Sequence, residues 1–246
     1  MRLLSLLLLF AACNPDDSGD TTDTDTGTDT DVGTDTDVDT EAFEPLDGFG
    51  TLSGDCGLLD ADEITSSSSF SFSTELTLPA GFDDDQLSAG GQEMVADGNL
   101  NSSSLYSEVF SYEILYRCEE AALLLTEGEV TYDNPNGKKT DLVIDVDGYR
   151  VGMSVVRAVG WPREDPWTVD NAAPLLEDKL ADILVSSDNV SEADAWDKQI
   201  LHVIAYSPDH ATAVLEALDT IDSAVRADTI VWVTATNGED GFIYGD

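Results

Sequence analysis

Ile200-Leu201-His202-Val203-Ile204 and Thr229-Ile230-Val231-Trp232-Val233 are two near-continuous apolar runs with one helical pattern between them. A strand with one wet face alternates polar and apolar residues. A strand apolar on both faces is covered on both, as happens in parallel pairing beneath helices. The helix between the runs opens at Pro208-Asp209 and lines Val214, Leu215, Leu218 and Ile221 along one side. Upstream, Asp170 or Asn171 can cap another helix, with Pro174 in its first turn and Leu176, Leu180, Ile183 and Leu184 as its apolar face.

Before that helix, three short strands read as an antiparallel meander: Glu129 to Tyr132, Asp141 to Val146 and Arg150 to Ala158. Asn134-Pro135-Asn136-Gly137 and Asp147-Gly148 supply the turns between them. A long helix should start at Ser103 or Ser104 and fray before Glu127-Gly128. Its buried stripe is Leu105, Val109, Ile114, Cys118, Ala121 and Leu125. The expected class is α/β, in the order α-βββ-α-β-α-β, with a mixed sheet and helices on both faces. Residues 45–100 are poorly patterned apart from the alternating run Phe70 to Leu78, which reads as an edge strand. They either complete this sheet or form a separate lobe. Asn237-Gly238 reads as a turn.

The 246 residues carry 51 acids against ten Lys and Arg, a formal charge of -41. Twelve of those acids lie between Asn14 and Glu44, so 39 acids and nine bases remain in residues 45–246. Such a surface repels phosphate at long range, which makes nucleic acid a poor partner.

At the N-terminus, Met1-Arg2 precedes the apolar run Leu3-Leu4-Ser5-Leu6-Leu7-Leu8-Leu9-Phe10, then Ala11-Ala12-Cys13. The run is too short for a membrane-spanning helix and fits the apolar part of a secretory signal. The segment resembles the bacterial lipoprotein box, with Phe10 where that family usually has leucine. The resemblance implies a signal peptide at 1–12 and lipidation of Cys13. It also implies a protein held in the bacterial cell envelope by its acyl chains, and Asn14 after the cysteine favours the outer membrane.

Asp-Thr repeats follow from Thr21 to Thr40, interrupted by Gly27 and Gly33. With only Val32 and Val38 apolar within those repeats, residues 13–44 read as a solvated, disordered acidic stalk. It would reach on the order of 30 Å as a coil and about 105 Å when taut. Calcium-loop spacing fails here, since neither Asp23 nor Asp29 is followed by a glutamate at the twelfth position. Residues 45–246 read as one globular domain.

Two cysteines remain, Cys56 and Cys118. In an exported domain they form a natural disulfide pair, with two separate buried thiols as the alternative.

The element order over about residues 103–235 resembles the restriction-endonuclease-like fold, the PD-(D/E)xK group. In that family an Asp on the second strand and an acid on the third hold magnesium, a lysine two positions later orients water, and a helix Glu assists. Thr140-Asp141 stands at the matching strand start, but Ser154 replaces the second acid and Val156 the lysine. Glu108 or Glu113 could be the helix carboxylate, and Lys179 or Arg157 could replace the lysine. The resemblance therefore implies a degenerate site with vestigial residues Glu108, Glu113, Asp141, Ser154 and Lys179. Mg2+ is a cofactor only if the site still works.

Other chemistry is thinner. Only His202 and His210 are present, there is no Gly-x-Ser-x-Gly elbow, and Gly90-Gly91 lacks the lysine of a phosphate loop. Trp161, Trp167 and Trp196 could line a ligand groove or seal a core edge. The sequence thus leads to a membrane-tethered extracytoplasmic lipoprotein whose nuclease-like domain binds an unidentified protein or ligand without catalysis. A divergent metal-dependent nuclease outside the cytoplasm is the alternative.

Overall fold

The structure is a computed structural model and describes residues 49–245. The signal at 1–12, Cys13 and the stalk to residue 44 lie outside the described residues. All the described residues belong to one compact unit, Ala42–Asp246.

Seven strands form one mixed sheet: β1 (Thr51–Gly54), β2 (Ser71–Leu78), β3 (Ala122–Thr126), β4 (Leu142–Val146), β5 (Tyr149–Ala158), β6 (Lys198–Ala205) and β7 (Ile230–Gly238). Their spatial order is β1-β2-β7-β6-β5-β4-β3. The central strands β2, β7, β6 and β5 run parallel, and the β3-β4-β5 meander and β1 are antiparallel. The helices are α1 (Ala61–Thr65), α2 (Ala89–Asp97), α3 (Leu105–Glu119), α4 (Val169–Asn189), α5 (Pro208–Leu218) and α6 (Ser223–Arg226).

Every residue of β6 is buried, and its side chains divide between two cores. Ile200 and Ile204 pack on the face covered by α3, whereas Leu201, Val203 and Ala205 pack on the face covered by α4 and α5. On β7, Ile230 and Trp232 take the first face, and Val231, Val233 and Ala235 the second. Each fully buried Ile, Leu or Val contributes about 1.5–3 kcal/mol, and these two strands supply many of them.

Residues 49–100 complete this sheet. β2 is not an edge strand, because it pairs in parallel with β7 on one side and with the short β1 on the other. Cys56 and Cys118 are joined in a disulfide that ties this N-terminal part to the end of α3.

Several boundaries differ from the sequence reading. α3 stops at Glu119 because Glu120 adopts a left-handed conformation, φ 51°. Ala121 and Leu125 are thus off the helix, and β3 follows at once. The first meander strand is Ala122–Thr126, not 129–132, which contributes one isolated bridge, Tyr132 to Val190. α4 is capped by Thr168, whose N–H donates to Asn171 Oδ1 at 3.0 Å, so Pro174 falls in its second turn. Asn237-Gly238 does not turn; it ends β7.

Candidate functional site

α3 is buried nearly all round, so each of its polar side chains needs a partner in the protein or an opening to solvent. Its carboxylates settle this differently. Glu113 Oε1 accepts hydrogen bonds from Ser88 N at 2.8 Å and Ser88 Oγ at 2.6 Å, and Glu113 pairs with Arg117 one turn along. Gly91 admits that carboxylate, since a Cβ there would lie 2.1 Å from Glu113 Oε1. Arg117 in turn stacks on Phe49, 3.6 Å from the ring centroid. Glu113 is therefore a packing residue, which corrects its place among the site candidates.

Glu108 opens instead into a cavity of about 290 Å³, which Asp141, Glu127 and Lys179 also line. Only 5 % of Glu108 is exposed. Its Oε1 accepts from Asn99 Nδ2 and from Ser104 Oγ, both at 2.8 Å. Burial pushes its carboxyl up to about 8, helped by the charges of Asp141 and Glu127 and opposed by the Asn99 and Ser104 hydrogen bonds.

Asp141 sits just before β4, where the meander strands meet. Its N–H donates to Met153 O at 3.0 Å and its Oδ2 accepts from Val155 N at 2.6 Å, so it closes the end of the β4-β5 ladder. The carboxyl opens to the cavity yet lies deep among protein atoms. Burial raises it to about 6, with the Glu127 charge adding to this and the Val155 N–H and Lys179 opposing it. Glu127, which follows β3, is a cavity residue that the sequence reading misses. It accepts from Leu100 N at 2.8 Å through Oε2. The apolar spacing conceals it by placing it at the frayed end of α3.

From β5 the cavity receives Val155, Val156 and Arg157. Arg157 donates to Ser103 O at 2.9 Å and to Ile243 O at 3.4 Å, so its guanidinium holds two loops together. Ser154 is buried and its Oγ lies 3.3 Å from Thr140 Oγ1. It does not line the cavity. Of the five candidates, the structure brings Glu108, Asp141 and Lys179 to one cleft and leaves Glu113 and Ser154 outside it.

Among the described residues, no group of three or more His, Cys, Asp and Glu side chains is gathered as metal ligands, and no helix is long and apolar enough to cross a membrane. The histidines form no triad. His202 is fully buried with Nε2 2.8 Å from Thr234 Oγ1, and His210 contacts the α5 cap Ser207 through Nδ1 and the Asp165 carbonyl through Nε2. Of the tryptophans, Trp196 covers Gly152 and Trp167 packs against the α4-α5 core, whereas Trp161 is 85 % exposed.

No family model matches this chain, and no solved structure matches it. It is similar to the AAC-rich mRNA clone AAC4 protein of Dictyostelium discoideum, 35% identical over 160 residues. The matched region is 62% of this chain and 23% of that protein, so the chain spans under a quarter of its relative's length.

Proposed function

We propose that this chain is an extracytoplasmic lipoprotein whose folded domain is a binding module on a restriction-endonuclease-like scaffold, with the Glu108–Asp141 cleft as its ligand site. The order α3-β3-β4-β5-α4-β6 supports the scaffold, because αβββαβ is the core order of that fold family. The Leu-rich start and Ala11-Ala12-Cys13 support the anchor in the bacterial envelope, by resemblance the outer membrane, with an acidic stalk between lipid and domain.

One observation carries the binding reading. β5 gives the cleft Val155, Val156 and an Arg157 already engaged with two carbonyls, where a nuclease needs an acid and a free lysine. Residues 45–246 also carry 39 acids against nine bases, which repels a polyanionic substrate. Incubating the full chain with plasmid DNA and Mg2+ or Mn2+ tests this, and no cleavage is expected. Metal-dependent cleavage that disappears in Asp141→Asn would overturn it. For the anchor, Cys13→Ser should move the protein from the membrane to the soluble fraction.

A second reading, a divergent metal-dependent nuclease, is favoured by the convergence of Glu108, Asp141 and Lys179 on one cavity. Hard cations take oxygen ligands, and Glu108 and Asp141 each keep one carboxylate oxygen clear of the hydrogen bonds described above. Those two oxygens would hold a magnesium ion, and the strand acid that would add a third is Ser154, turned to Thr140. A bound ion would supply Lewis-acid polarisation of a phosphate. Lys179 would orient the attacking water.

A further inference from the structure

We infer that a hollow lined by the rings of Phe82, Tyr106 and Phe242, with Asp83 and Asp84 beside them, binds a small quaternary ammonium cation of the choline type. The hollow shares no lining residue with the Glu108–Asp141 cleft, so this second site does not depend on the function proposed for the first.

Three separate segments bring the rings together. Phe82 lies in the loop after β2, Tyr106 in the first turn of α3 and Phe242 in the C-terminal turn Gly241–Tyr244. All three are only partly buried, and the space beside them is about 380 Å³, within the range of small-ligand sites. Phe82 and Phe242 are nearly parallel, 9° apart with centroids at 5.0 Å, and Tyr106 stands at 85° to Phe242 with centroids at 5.4 Å. The fully buried Phe110 supports both phenylalanines at steep angles, 5.0 Å from Phe82 and 5.4 Å from Phe242. Aromatic walls at right angles are thereby fixed to the core before any ligand arrives, which lowers the cost of binding.

The two carboxylates supply charge but already hold donors of the protein. Asp84 receives the Tyr106 hydroxyl at 3.0 and 3.2 Å on its two oxygens, and Asp83 caps the short helical turn Asp84–Gln86 by accepting from Asp85 N at 3.1 Å. Burial and the Asp84 neighbour hold the Tyr106 phenol above its ordinary value, so it stays a neutral donor. An ammonium or guanidinium that leaves water needs acceptors in exchange. A quaternary ammonium carries no N–H, and aromatic surface with nearby negative charge is enough to hold it. Asp83 and Asp84 on the wall, with Asp85 next in the chain, repel a phosphate or carboxylate attached to that cation. This separates choline from phosphocholine and betaine.

The test is calorimetric titration of the full-length chain with choline chloride at about 0.15 M salt, where weak surface attraction is screened. A dissociation constant at or below about 1 mM is expected. Binding should weaken about tenfold in Phe242→Leu, which keeps apolar bulk and removes the ring, and in Asp84→Asn, whose amide oxygen can still accept from Tyr106. Circular dichroism checks that both variants fold, and Asp84→Asn alone decides the comparison if Phe242→Leu does not. Absence of choline binding overturns the assignment. So does equal binding of dimethylbutanol, the neutral carbon isostere of choline, because the hollow would then recognise apolar bulk without charge. Equal binding of ethanolamine would mean attraction to the acids alone, and equal binding of phosphocholine or betaine would mean a site indifferent to those acids; each overturns it. Unchanged affinity in the folded variants overturns it too, by moving choline to another part of the surface.

Discussion

Thr234 Oγ1 lies 2.8 Å from His202 Nε2 across the parallel β6-β7 pair, and both residues are fully buried. Thr74 Oγ1 is 2.8 Å from Thr234 Oγ1 and accepts from Trp232 Nε1 at 3.1 Å. Trp232 Nε1 can only donate, and each hydroxyl passes its proton onward when the direction runs from Trp232 to Thr74 to Thr234 to His202. Nε2 is then an acceptor, and the ring proton sits on Nδ1, toward the Ser111 carbonyl. Burial depresses the imidazole to about 3. Only the unfolded chain therefore takes up this proton below about pH 6.5, so stability falls with pH from there down to about 3. Nitrogen shifts of His202 should show an unprotonated Nε2 and no titration between pH 5 and 8. Thr234→Val should cost about 1–3 kcal/mol by leaving Nε2 unpaired.

Glu108 gives the opposite slope. Its folded carboxyl is raised from the ordinary 4.5 to about 8, so between those values the folded state holds a proton that the unfolded state has released. Stability from this group is present at low pH and lost as pH rises, by up to about 1.4 kcal/mol per pH unit. Thermal melts across pH 5 to 9 should show wild type falling toward alkaline pH, and Glu108→Gln should flatten that decline.

The Cys56–Cys118 bridge closes a separation of 62 residues. Replacing both cysteines by serine should lower stability by about 4 kcal/mol in the chain-entropy picture. Urea unfolding with and without reductant should show the same difference in wild type and none in the double variant.

Glu113 and Arg117 are a fully buried ion pair, with the guanidinium over Phe49. Glu113→Ala leaves Arg117 charged and unpaired in the core and should cost about 3–5 kcal/mol. The double replacement Glu113→Leu with Arg117→Met should lose less than the single change. A double-mutant cycle by chemical denaturation checks the difference.

The two central strands are readable because Ile200, Leu201, Val203 and Ile204 leave no polar face, and only coverage on both sides explains that. The end of α3 is not. Ala121 and Leu125 continue the apolar spacing of Ile114 and Cys118, and the helix is stopped by a left-handed Glu120 that carries no glycine to announce it. That one boundary displaces the first meander strand and hides Glu127. The choice between Glu108 and Glu113 is equally out of reach. Both lie on one helix, and which of them meets solvent depends on Ser88 and Gly91, 25 and 22 residues upstream of Glu113. Asp141 and Lys179 are legible because a hairpin start and a helix facing it fix their positions.

The described chain begins with Phe49, stacked on Phe110 with ring centroids 5.2 Å apart and clamped beneath Arg117. Tension arriving through whatever precedes it meets this aromatic plug first and the covalent link at Cys56 seven residues later. Only residues 49–55 can be peeled away before the load passes through sulfur into α3. A molecule held by its front end could then be tugged without unravelling β2 or the core strands beside it.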